Sequence, residues 1–214
     1  MNTYLDYLDK TFLEELNYKI WSTKGARFHA HARLVWQSKL SGLCNSLISV
    51  YLTAVGLLSV YNIYNDKWLS ENVTAYSVTC LSILALIFSQ IENAKDFNVK
   101  AKEFHACGLE LSQLYNELRI FKTLRPDPTM EIKEAFAGEI SKRYQQILEK
   151  YDNHAPIDND RFRSKTARYH KLDTFDVFRT WIYYKVITFF VYYFLIVVPP
   201  IVIILFFMGI EKST

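Results

Sequence analysis

Glycine and proline are scarce in this chain, at 6 and 5 of its 214 residues. So few turn-formers exclude a loop-rich or many-stranded β architecture. Cysteine is scarcer still, and 3 Cys in 214 residues exclude a disulfide scaffold. No Cys-x-x-Cys pair occurs, so Cys44, Cys80 and Cys107 read as small packing residues. A net charge of +3 is too small to imply direct nucleic-acid binding. The glycines, Gly25, Gly42, Gly56, Gly108, Gly138 and Gly209, lie too far apart for a phosphate-cradling loop. There is no Gly-x-Ser-x-Gly elbow, no His-Glu-x-x-His and no isolated carboxylate pair. His29 and His31 stand two apart, and such residues do not share a helix face. No catalytic residue, metal ligand or cofactor is expected, and the chain does not read as an enzyme.

What the chain has in excess is aromatic residues, 15 Phe, 15 Tyr and 4 Trp. Hydrophobic residues make up 50%, which excludes disorder. The mean hydropathy of −0.00 is an average over unlike blocks. Three stretches carry no Asp, Glu, Lys, Arg or His: Leu40–Asn65, Asn72–Ile91 and Val186–Ile210. Crossing the hydrocarbon takes about 20 mostly apolar helical residues. All three blocks meet that length, and the polar remainder is too short to bury them. The lipid bilayer is therefore the expected partner. The first block begins only at Leu40, behind four acidic residues. It reads as a retained anchor rather than a cleaved leader.

Positive charge orients the spans. Residues 1–39 hold six Lys and Arg and residues 92–185 hold seventeen, while the connection near Asp66–Glu71 holds only Lys67 and the tail only Lys212. The N-terminus and residues 92–185 are expected in the cytoplasm, with the connection and the C-terminus outside. Tyr61, Tyr64 and Trp68 would form an outer aromatic belt, and Trp36, Trp181, Tyr183 and Tyr184 an inner one.

The expected class is an all-α membrane protein. Residues 1–39 form cytoplasmic helices, with Leu5, Leu8, Phe12, Leu16 and Ile20 on one stripe and a break or bend at Gly25. Residues 40–91 form a transmembrane hairpin, with spans near 40–61 and 73–91. Residues 92–185 form a helical hairpin and a basic connector, 186–210 a third span and 211–214 an external tail. The second span should run on as a coiled-coil-like helix, because apolar residues recur at three or four from Ile91 to Phe121. Within that run Phe97, Ala101, Phe104, Leu111 and Leu118 are the expected homo-oligomer stripe, with Glu92 and Lys95 off it. Arg125-Pro-Asp-Pro128 ends this helix, and a partner helix follows from Thr129 to Asp152 along Ile132, Phe136, Ile140, Tyr144 and Tyr151.

The spans hold no charged residue, which weighs against a pump or coupled transporter. They do hold small and hydroxylated residues. Ser46, Ser49, Thr53, Gly56 and Ser59 share one face of the first span, and Thr79, Ser82 and Ser89 one face of the second. Such faces favour close helix packing and could also line a weakly polar pore. Pro199-Pro200 should kink the third span.

The arrangement resembles the SLATT family, the SMODS and SLOG-associating two-transmembrane effector domains. A basic helix, Ala26-Arg27-Phe28 with Arg33-Leu34 and Lys39-Leu40-Ser41, precedes the first span. The segment Tyr144-Gln-Gln-Ile-Leu-Glu-Lys-Tyr-Asp-Asn153-His154-Ala-Pro-Ile-Asp158, with Phe162 beyond it, looks like the signature of a subgroup that also carries a C-terminal hydrophobic span. The resemblance implies a multi-pass effector of the bacterial inner membrane in anti-phage defence. It implies a trigger from a co-encoded sensor, such as a nucleotidyltransferase or reverse transcriptase, or from its nucleotide product. On that reading Asn153, His154, Asp158, Arg161, Arg163 and Arg168 are candidates for signal or partner contact. Local capping is the competing role for Asp158. The expected action is oligomerisation and permeabilisation. The rival is a non-conducting anchored scaffold that recruits a partner through its coiled coil.

Overall fold

The computed structural model describes residues 10–60 and 71–211. Of these, 89% are helical and none is in a strand. Three helices are long and apolar enough to span a bilayer, so the fold is that of an all-α membrane protein. The elements run α1 (Phe12–Val60), α2 (Glu71–Asn93), α3 (Phe97–Leu124), α4 (Met130–Lys150), α5 (Pro156–Lys165), α6 (Ala167–His170) and α7 (Thr174–Ile182). A π-helical turn (Tyr183–Ile187) and α8 (Phe190–Glu211) follow. The expected outer belt at Tyr61, Tyr64 and Trp68 lies outside the described residues. Contacts divide the chain into two compact units. A polar unit holds the chain up to Val35 and Asn98–Val186, and an apolar unit holds Trp36–Phe97 and the chain from Ile187.

The polar unit is built on α1, α3 and α4. Leu16 and Ile20 of α1 pack with Cys107, Leu111, Leu114 and Leu118 of α3 and with Ile140 and Tyr144 of α4. Burying each such leucine contributes about 1.5–3 kcal/mol. Helices α3 and α4 run antiparallel, which three pairs show. Phe121 stacks on Phe136 near the turn, at 3.9 Å between centroids. Glu117 pairs with Arg143 further along, and Glu110 with Lys150 further still. Two glycines allow close approach. A Cβ at Gly108 would lie 2.9 Å from the Phe28 ring, and one at Gly25 would fall inside the Phe162 ring. Gly25 therefore does not break the N-terminal segment, as the sequence suggested. Helix α1 continues through it for 49 residues, and the glycine makes room for an aromatic ring.

Two further expectations are corrected. The second span does not run into α3 as one helix. The chain turns at Ala94–Asp96, where Asp96 takes a left-handed φ of 49°, a conformation Asp tolerates better than most residues. The expected oligomer stripe is used inside the protomer. Ala101, Phe104, Leu111 and Leu118 are buried, and Phe97 is half-buried. From Ala101 to Leu118 the spacing of three and four marked a core face of the polar unit, which α1 and α4 cover, while Phe97 falls in the apolar unit.

In the apolar unit, Leu40 and Cys44 of α1 cluster with Phe189 and Tyr192. Helix α8 continues through Pro199 and Pro200. Pro200 has no N–H to give to the carbonyl of Ile196, four residues back. The Tyr51 hydroxyl of α1 donates to that carbonyl at 3.2 Å. Glu92, expected off the apolar stripe, is buried at the end of α2. It accepts a hydrogen bond from the Tyr192 hydroxyl at 2.6 Å and pairs with Lys95. Most of α2 is otherwise uncovered, with Tyr76 73%, Leu84 61% and Leu86 60% exposed.

Candidate functional site

The segment from Asp152 to Arg161 packs against the N-terminal half of α1 in the polar unit. The chain leaves α4 extended at Tyr151, and Pro156 opens α5. Proline suits the first turn of a helix because its missing N–H would have had no intrahelical partner there. Asp158 is the third residue of α5. Its carboxylate accepts the Ala155 N–H at 3.2 Å, the carboxylate half of a capping box. It is also wholly buried and meets Arg33 of α1 in a two-pronged pair. Arg33 Nε donates to Oδ1 and Nη2 to Oδ2, each at 2.8 Å. A buried carboxylate persists as an ion only with such partners. Capping and ion pairing thus coexist at Asp158.

Arg161, 9% exposed, lies over the Tyr184 ring at 5.4 Å, and the Tyr184 hydroxyl donates to the His29 carbonyl at 2.9 Å. Phe162 fills the space at Gly25 and meets Trp21 edge-on at 4.7 Å. Tyr169 and His170 complete that aromatic cluster around Trp21. Asn153 is exposed and His154 half-buried, and both line a cavity of about 270 Å³ with Arg33, Lys100, Phe104 and Asp152. Burial, then the nearby Arg27 charge, holds the His154 imidazole below its usual pKa. Arg163 and Arg168 are exposed. Arg163 borders a separate cleft of about 750 Å³ between α5 and α7, together with Asp160, Asp176 and Arg179. The six proposed contact residues therefore spread over a buried cluster, the cavity beside it and the outer surface. His29 and His31 diverge as their spacing requires. His29 faces Tyr184, while His31 packs on His105 at 4.8 Å and bonds the Ala101 carbonyl at 2.8 Å.

Arg27 entered the sequence reading only as part of the basic helix before the first span, not as a candidate site residue. It stands on the buried stripe of α1 with Leu16, Ile20, Ala30 and Leu34, and is itself 0% exposed. A cation at a core position of a helical stripe was the available signal. In the spans, the proposed faces leave their hydroxyls satisfied locally. Ser46, Ser49, Thr53, Thr79 and Ser82 each donate to the carbonyl four residues back, at 2.8–3.0 Å. Nothing lies within 4 Å of a Cβ at Gly56. Ser89 is half-buried, and the Ser59 side chain lies outside the described ones.

Long apolar helices joined to a separately packed polar unit, with no cluster of metal-ligating side chains among the described residues, define a helical membrane protein. The chain belongs to the SMODS and SLOG-associating 2TM effector domain family 5, whose model matches residues 9–206. The match takes in most of α8 beyond the two spans of the family's description. No curated protein and no solved structure matches the chain. The family is one of all-helical membrane effectors in defence systems, and it is not a known enzyme family.

Proposed function

We propose that the protein is an inner-membrane effector that assembles into oligomers and permeabilises the bilayer when a partner signals. The observation that carries this reading is the uncovered apolar unit. Helix α2 exposes most of its apolar side chains within the protomer. Among the described residues, the hydroxyls of the small-residue faces at Ser49–Gly56 and Thr79–Ser82 bond only to carbonyls of their own helices. In lipid, helices associate through such small faces, which let backbones approach closely. The charge pattern supports a cytoplasmic polar unit and an external C-terminus. There the Asn153–Arg168 segment would meet the trigger, from a co-encoded sensor or its nucleotide product.

Membrane-potential dye in induced and triggered cells tests the reading. Depolarisation is expected. Ser49→Leu, Gly56→Leu and Ser82→Leu should abolish it while membrane insertion and the polar unit stay intact. Intact potential in triggered cells that retain partner binding would instead establish the non-conducting scaffold.

A further inference from the structure

Helix α7 packs with the polar unit, although it leads directly into the third span. Its Asp176 and Thr180 line the cleft against α5. Just beyond its end, the Tyr184 hydroxyl donates to the His29 carbonyl at 2.9 Å and so ties the π-helical turn to α1. Helix α8, with 22 residues, is long enough by itself to cross the hydrocarbon, which takes about 20. Helix α7 is not needed there, and its Asp176 and Arg179 would be costly there. Yet α7 turns three large rings outward. Phe175 is 67% exposed, Phe178 56% and Trp181 43%. Their spacing of three puts them on one helix face, and the rings of Phe178 and Trp181 stack at 6.2 Å.

We propose that this aromatic face beds in the headgroup layer of an anionic bilayer surface, so that α7 lies along the membrane rather than across it. The chain itself supplies the first argument. The uncharged run begins at Val186, four residues beyond Ile182, which is at most about 6 Å at helical rise. The headgroup layer is about 5–7 Å deep on each side of the hydrocarbon, so the Trp181 end of α7 stays within it. The chemistry of the face is the second. Trp and Phe on one side of a short helix, with polar groups on the other, suit the boundary between headgroups and acyl chains. Charge is the third. Arg179 follows Phe175 by four residues and so borders the face. From Arg163 to Lys185 the chain carries six Lys and Arg, all exposed, against two Asp. Asp173 is engaged in accepting the Thr174 N–H at the start of α7, and Asp176 pairs with Arg179 at 3.2 Å. Cations at this density beside a span attract anionic headgroups. A second copy docked on the same face would instead bring like charges together. Helix α5, which carries Asp158 and Arg161, packs on α7, so the proposed trigger contact would be held beside the lipid surface. The inference stands whether or not the protein permeabilises the bilayer.

The test uses the full chain in nanodiscs of phosphatidylcholine with a minority of phosphatidylglycerol. A photoreactive benzoyl-phenylalanine replaces Phe178, whose exposure leaves the core undisturbed by the larger ring. Irradiation and mass spectrometry should find lipid adducts, with phosphatidylglycerol exceeding its share of the bilayer about threefold. Arg179→Gln with Lys185→Gln should return that share to the bilayer's own while the adducts persist. Adducts to a second copy of the chain in place of lipid, or a phosphatidylglycerol share equal to the bilayer's in the unaltered chain, overturn the proposal. Depth is read separately from Trp181, as the difference in quenching between the natural chain and Trp181→Phe. Lipids brominated near the headgroup should quench it more than lipids brominated near the chain ends. The opposite order would make α7 part of the third span and overturn the in-plane placement.

Discussion

The two units solve burial in opposite ways. The polar unit covers its own stripes: Leu111, Leu114 and Leu118 are fully buried, and Arg27, Asp158 and Arg161 are drawn in with them. The apolar unit leaves its greasiest surfaces open, with Leu84 61%, Leu86 60% and Val202 57% exposed. Water penalises the first arrangement if it is broken, whereas lipid removes the penalty from the second. Stability should therefore reside in specific contacts of the polar unit. The apolar unit should depend on its solvent and on neighbouring copies. Cysteines report on each side separately, since Cys107 is buried in the polar unit and Cys44 in the apolar one.

The largest expected effect comes from breaking the Arg33–Asp158 pair. Asp158→Ala leaves a guanidinium that is 12% exposed facing an empty site. Removing one partner of a buried pair costs about 3–5 kcal/mol. Thiol labelling of Cys107 should accelerate by orders of magnitude, while Cys44 labelling in the same detergent changes little. Equal acceleration at both cysteines would mean that the units unfold together and that the contrast between them is false. The paired replacement Arg33→Met with Asp158→Leu should recover much of the loss, because two apolar groups need no partners.

A smaller effect is expected on the other side. Tyr51→Phe keeps the ring and deletes the donor to the Ile196 carbonyl freed by Pro200. One such hydrogen bond contributes about 0.5–1.5 kcal/mol, and an unsatisfied carbonyl adds to its loss in a site without water. Cys44 labelling should rise severalfold with Cys107 unaffected. No change at Cys44 would show that the proline-freed carbonyl finds another donor, and that α1 and α8 are held by packing alone.

The same contrast explains what the sequence could tell. The spans were legible because their signal is local: an uncharged run of about 20 residues needs no partner to be recognised. So was the α3–α4 hairpin, from stripes on either side of Arg125-Pro-Asp-Pro128. The meaning of a stripe was not legible. The run through Ala101, Leu111 and Leu118 has the spacing of a coiled coil, and only the arrival of α1 from about 90 residues away makes it core. Gly25 read as a breaker because its purpose, room for Phe162, lies 137 residues downstream. Arg33 and Asp158 are 125 residues apart, so neither periodicity nor a local motif could join them. The break at Ala94–Asp96 carries no Gly or Pro and was invisible for the same reason.

The smallest expected effect is a pH dependence confined to the polar unit. Glu117 is held below the usual carboxylate pKa first by its hydrogen bonds from Arg143, and Glu110 first by its bond from Lys150. Both folded values lie below the unfolded one, near 4.3. The pairs therefore add stability that is fully present above that pH and is lost as pH falls through the folded values. Both are partly exposed, so solvent and salt screen them and each contributes little. Burial of His154 acts in the same direction at higher pH. Its folded pKa lies below the unfolded value near 6.5, so stability begins to fall as pH drops beneath that value. Denaturation followed by Cys107 reaction with a pyridyl disulfide, which works in acid, should show two successive losses. The first lies below about 6.5 and is reduced by His154→Gln, the remainder coming from His29 and His170, which burial also holds below their usual pKa. The second lies below about 4.3 and is reduced by Glu110→Gln with Glu117→Gln, while Glu14, held down by its hydrogen bonds from Thr11, keeps a part of it.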